Sequence, residues 1–186
     1  MTKPPPSLKK LLATTPEKKK KSRNEGKFWG DLRVAANRAD GWRFRRVETK
    51  FKDGFPDCVA KDPNQRIHFV ELKHTVSNTV ALSPLQVSFH NQFRAGLTWI
   101  LVKSDNAPDD KYYLYHGASV IDLALDGLKT SPYALTAGKL GLSDILAAME
   151  NAKHVDINTT HYTDEDYGPS AGDSWNSRRT GKAGQI

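Results

Sequence analysis

The sequence predicts an α/β protein built on a mixed central sheet flanked by helices. Apolar residues at helical spacing and short strand-like runs follow one another in the order helix, three strands, helix, strand. The run Thr98 to Val102 is nearly all apolar, as expected of a strand covered on both faces. The chain has 186 residues, enough for one domain with a real core and too few for two.

Taken in order, Ser22 to Asp40 predicts a helix. Phe28, Leu32, Ala35, Ala36 and Ala39 recur on one face, and Gly41 stops the run. Ser22 and Glu25 have the spacing of a capping box. Trp42 to Val47 predicts a strand with Arg43 and Arg45 on one face and Trp42, Phe44 and Arg46 on the other. Asp53-Gly54 marks a turn. Pro56 to Lys61 predicts a second strand, residues 62–65 a hairpin loop, and Ile67 to Lys73 a third strand. Ser83-Pro84 opens a second helix, with serine at the cap and proline in the first turn. It should run to Ala95, end at Gly96, and lay Leu85, Phe89 and Phe93 on the sheet. After Thr98 to Val102 come a strand at Tyr112 to Tyr115 and helical segments near 117–127 and 141–152. Leu140, Ile145, Leu146 and Met149 are the apolar contacts expected of the last.

The net charge of +7 has a location. Residues 1–23 hold eight Lys/Arg against one acid, Glu17, so that segment carries +7 and the remaining 20 basic and 20 acidic residues cancel. Residues 1–22 therefore read as a disordered basic tail, 23–155 as the folded domain and 156–186 as a polar flexible tail. A basic arm with Lys18, Lys19, Lys20 and Lys21 suits a polyanion such as DNA through counterion release. No apolar run approaches a membrane span and no signal peptide is visible. Cys58 is the single cysteine, which excludes an internal disulfide and a cysteine zinc cage and fits an intracellular, cytoplasmic setting. Walker, GxSxG, HExxH and dinucleotide-binding patterns are absent.

Gly54-Phe55-Pro56-Asp57, then thirteen residues, then Glu71-Leu72-Lys73 is the stretch that carries chemistry. Side chains alternate along a strand, so Glu71 and Lys73 share a face. A hairpin between Asp57 and Glu71 brings the first acid alongside. Two carboxylates and an ammonium then converge. Carboxylate oxygens suit Mg²⁺ (or Mn²⁺), which lowers the pKa of a bound water and stabilises charge on phosphate oxygens. The bland alternative is an exposed strand whose Glu and Lys simply face solvent.

Residues 54–103, with Pro56-Asp57, Glu71-Leu72-Lys73 and Leu82-Ser83-Pro84-Leu85-Gln86 ahead of a helix ending at Gly96, resemble the PD-(D/E)xK nucleases. Within that superfamily they look closest to virus-type replication–repair nucleases and small Holliday-junction resolvases, phage versions included. The resemblance covers about 25–103. It implies a restriction-endonuclease-like fold and Mg²⁺-dependent cleavage of branched DNA. It also implies metal binding by Asp57, Glu71 and the Leu72 backbone carbonyl, Lys73 beside the attacking water, and a homodimer. A non-catalytic DNA binder on the same fold and a sequence-specific restriction-type nuclease are the alternatives.

The same resemblance implies that Glu25 completes the metal site, against its capping-box role. Glu48 is the rival for that place, or pairs with Arg46 or Lys50. Gln86 is expected to point at the metal site or the phosphate, or else to close a capping box with Ser83. Arg43, Arg45, Lys50 and Lys52 are candidate phosphate clamps. Thr75, Ser77 and His90 are candidate phosphate contacts, with ordinary surface or satisfied roles as the alternative.

Overall fold

The computed structural model describes residues 23–47, 54–105, 110–138 and 140–153, with side chains from residue 26 onward. Helix α1 spans Arg23–Arg38, and Phe28, Leu32, Ala35 and Ala36 form its buried stripe. The expected order helix, three strands, helix, strand then appears as β1 (Arg43–Arg46), β2 (Cys58–Lys61), β3 (Ile67–Thr75), α2 (Pro84–Gln92) and β4 (Thr98–Ser104). The chain continues through β5 (Lys111–His116), α3 (Val120–Asp126), β6 (Ala134–Ala137) and α4 (Gly141–Glu150).

The strands form one six-stranded sheet in chain order, antiparallel throughout except for the parallel pair β3–β4, which α2 connects. This is the predicted α/β class, a mixed sheet with helices on both faces. β4 is buried along its whole length, as its apolar run requires.

The pleat divides the core in two. On one face Cys58, Ala60, Val70, Leu72, Trp99, Leu101 and Leu114 pack against α1 and α4. On the other, Ile100, Val102 and Tyr115 pack against Val87 of α2 and Val120 and Leu123 of α3. Each fully buried large side chain contributes roughly 1.5–3 kcal/mol. No residue of β1 or β2 joins this second core, so α2 and α3 cover only part of their face among the described residues.

A polar network ties the β2–β3 hairpin to the end of α4. Asp62, fully buried, accepts from the Arg66 backbone N–H at 2.8 Å and from Arg66 Nε at 2.7 Å. Trp99 Nε1 donates to His68 Nδ1 at 3.0 Å, which leaves His68 Nε2–H to donate to Asp62 at 3.2 Å. Burial lowers the His68 pKa and keeps the ring neutral. The Arg66 guanidinium donates to the carbonyl of Glu150, which α4 cannot satisfy internally, and to that of Ala152 just beyond the helix (2.7 Å).

Several sequence expectations shift. Strand β6 has only four residues with alternating exposure, too short for a periodic signal, and was not expected. Residues 117–119 form a 3₁₀ turn ahead of α3. Leu140 stands just before α4 and is largely exposed instead of being a core contact. On α2, Phe89 and Phe93 meet Phe69 of β3 as expected, but Leu85 and Phe93 are half exposed and the buried residues are Val87 and His90. The basic tail with Lys18, Lys19, Lys20 and Lys21, the polar tail from 156, Glu48, Lys50 and Lys52 lie outside the described residues.

Candidate active site

The site forms where β2 begins beside the middle of β3. In the antiparallel ladder Cys58 pairs with Val70, so one further step sets Asp57 opposite Glu71. Lys73 lies two residues beyond on the same face. Pro56 comes next, beyond the end of the ladder. A residue's N–H and C=O point to the same strand edge, and Leu72 turns both towards β2. Proline has no N–H, so it cannot extend the ladder to the Leu72 carbonyl. The Leu72 N–H is taken by Asp57 Oδ2 at 3.0 Å. The ladder thus ends at Cys58, and the next residue out presents its carboxylate to the β3 backbone.

Glu71 is almost completely buried. Burial pushes its pKa up to about 7; the Lys73 ammonium opposes that shift and the Asp57 carboxyl adds to it. Lys73 Nζ lies 2.8 Å from Glu71 Oε1 and donates to Gln86 Oε1 at 3.1 Å. Gln86 Nε2 donates to Glu71 Oε1. The other oxygen, Glu71 Oε2, is buried with no hydrogen-bond partner. A buried acceptor left unmatched is costly unless something binds it.

Gln86 is held from behind as well. Its Oε1 accepts from the Ser83 N–H at 2.9 Å while Ser83 Oγ accepts from the Gln86 N–H at 3.2 Å. Capping box and site contact, alternatives in sequence terms, are met by one carboxamide. Gly54 keeps this cap close to Asp57. It has φ +76°, and a Cβ there would run into the Leu85 backbone.

The donor set fits a small divalent cation: two carboxylates, one unsatisfied buried oxygen among them, and a backbone carbonyl. No cluster of three or more His, Cys, Asp or Glu residues forms among the described residues. Glu25, the expected further ligand, lies in the first turn of α1, whose buried stripe packs on the opposite face of the sheet, and its side chain is outside the described residues.

Other expected contacts are placed differently. His90 is fully enclosed, not at a phosphate-facing surface, and shares a 2.7 Å hydrogen bond between Nδ1 and Thr98 Oγ1. Burial, with Lys73 and His116 nearby, lowers its pKa to about 3, so the ring stays neutral. Thr75 is also buried, and its hydroxyl donates within its own turn, towards the carbonyls of Thr79 (2.9 Å) and Ser77 (3.0 Å). Ser77 is exposed, and its Oγ accepts from the Thr79 N–H. Arg43 and Arg45 are exposed on the face that carries Glu71 and Lys73. The roles of Pro56 and Gly54 were not singled out from sequence; the Gly-Phe-Pro-Asp run was the signal for both.

No family model matches the chain, and no curated protein matches it. Among solved structures it is similar to Hjc, a Holliday junction resolvase from the archaeal hyperthermophile Archaeoglobus fulgidus. The identity is 18%, the match covers 51% of this chain and 74% of that one, and the TM-score is 0.36.

Proposed function

We propose that this protein is a divalent-metal-dependent endodeoxyribonuclease acting on branched DNA. One observation carries the reading. The Asp57 and Glu71 carboxyl groups come within hydrogen-bond reach of one another with Lys73 beside them, and Glu71 Oε2 is buried with no N–H or hydroxyl donor aimed at it. A purely structural salt bridge has no reason to hold a second acid and an orphaned oxygen at one point.

Asp57, Glu71 and the Leu72 carbonyl would hold Mg²⁺ or Mn²⁺, which when bound supplies a water of lowered pKa and stabilises charge on phosphate oxygens. Glu71 must be ionised to serve as a ligand, and Lys73 favours that form. Gln86 ties Glu71 Oε1 and Lys73 into one rigid unit. Lys73 orients the attacking water and neutralises the charge that builds on the phosphoryl oxygens as the water oxygen bonds to phosphorus and the P–O bond breaks. Arg43 and Arg45, with Lys50 and Lys52, set the DNA backbone in register without reading sequence. Paired cuts in a symmetric junction would require a homodimer.

The test uses labelled four-way junction, fork and linear duplex with Mg²⁺ and with EDTA. Cleavage of the branched substrates by the wild type, lost in EDTA and in Asp57→Ala, is expected. DNA binding that survives EDTA with no cleavage of any substrate would make the protein a non-catalytic binder. Cleavage confined to particular duplex sequences would make it a restriction-type enzyme.

A further inference from the structure

Among the described residues, the second face of the sheet is left open where β1 and β2 lie, and what it presents is specific. Cross-strand rows bring Arg43, Lys61 and Ile67 together, and Arg45, Val59 and Phe69. Arg43 and Arg45 are exposed, and Lys61 spends its ammonium on the neutral Gln65 carboxamide at 2.7 Å. Beside these cations lies an aromatic cluster. Phe69 meets Phe55 at 5.6 Å, Phe89 at 5.8 Å and Phe93 at 6.3 Å between ring centroids, and Phe89 meets Phe93 at 4.7 Å. Ile67 and Phe93 remain 50% and 47% exposed. They border a shallow depression of about 270 Å³, lined also by Phe69, Leu97 and Thr98. Phe69 is two residues from Glu71 on one strand face, roughly 7 Å along it.

We infer that this face binds unpaired nucleotides next to the cleavage site, with Phe93 and Phe69 stacking a base and Arg43, Arg45 and Lys61 holding the flanking phosphates. The inference rests on the nuclease reading for its choice of DNA as the polyanion. The chemistry argues for that occupant. Cations and an exposed aromatic ring on one face match a ligand that is anionic along its length and planar and apolar at intervals. A continuous duplex keeps its base faces stacked inside and offers the phenyl rings nothing to cover them. The depression is just below the ~300 Å³ of the smallest drug-sized ligand sites, on the scale of one base. The preferred substrate is then DNA with a single-stranded segment at the branch, a fork or a flap, over a fully paired junction.

Binding of the full-length protein to a labelled oligothymidylate and to a blunt duplex of equal length, followed by fluorescence anisotropy in EDTA, tests this apart from cleavage. Phe93→Ala should weaken oligothymidylate binding about tenfold and duplex binding by no more than about twofold, the loss expected of one stacked base. Phe93→Tyr should restore it. Arg45→Ala should weaken both ligands. Ile67→Ser serves as the second variant if Phe93→Ala does not fold. Unchanged oligothymidylate affinity in Phe93→Ala, or an equal loss on both ligands, overturns the inference. So does conversion of a dimer to a monomer by Phe93→Ala in sedimentation, which would give the face to a second copy of the chain. Absence of cleavage of any substrate by the wild type would sink the nuclease reading instead, and leaves these binding ratios as they are.

Discussion

Glu71 carries a carboxyl at 1% exposure whose pKa burial pushes up to about 7. In the unfolded chain that group titrates near 4.5. Between those values the folded protein keeps a proton the unfolded chain has lost, so stability in EDTA should fall as pH rises from 4.5 through 7. The loss is on the order of 3 kcal/mol across the window. Buried His90, with its pKa lowered to about 3, works in the opposite sense below its unfolded value of 6.5. The difference between wild type and Glu71→Gln therefore isolates the glutamate. Urea midpoints of the two proteins should diverge between pH 5 and 7.5, the wild type losing ground; parallel curves would show that Glu71 is not buried as described. Metal binding reverses the balance, because it requires the ionised carboxylate. Mn²⁺ affinity should climb with pH up to about 7 and then level off.

At the level of elements, the N-terminus of α2 is both a cap and a wall of the site. Ser83→Ala removes one hydrogen bond to the Gln86 N–H and should cost about 1 kcal/mol in denaturant melts, with cleavage little changed. Gln86→Ala removes the acceptor for Ser83 and the anchor for both Lys73 and Glu71. It should cost a similar amount of stability, yet lower single-turnover cleavage by roughly 10–100-fold, as loss of a supporting ligand contact does. Equal activity in the two variants would reduce Gln86 to a capping residue. Gly54→Ala tests the loop that leads into Asp57. Its φ of +76° and the nearness of the Leu85 backbone leave no room for a methyl group. Asp57 should be displaced, and metal affinity should fall further than the melting temperature alone accounts for.

For the molecule as a whole, no helix among the described residues is long and apolar enough to cross a membrane. The sequence places its charge excess in residues 1–23. Replacing Lys18, Lys19, Lys20 and Lys21 by Gln should lower the slope of log affinity against log salt for duplex DNA by up to about 0.9 per lysine that meets a phosphate. Cleavage of already bound DNA should be unaffected. An unchanged slope would leave the tail without a role in binding.

Local pattern was enough to identify the strands and helices that carry the site. Alternation in Glu71-Leu72-Lys73 set the acid and the amine on one face, and the span between Asp57 and Glu71 announced a hairpin. Those relations are short in sequence and follow from backbone periodicity. His90, Thr75 and Leu85 show where that reading stops. Their sequence spacing says which helix or strand face they occupy but not what packs on it, and burial is decided by elements distant in the chain. The same holds for the hydrogen bonds from Trp99 of β4 to His68 and from His68 to Asp62, for the buried Glu71 oxygen that no N–H or hydroxyl meets, and for the face of β1 and β2 that no described residue covers. Each depends on which surfaces meet after the sheet closes, because desolvation and hydrogen-bond satisfaction are properties of the assembled core and not of any segment within it.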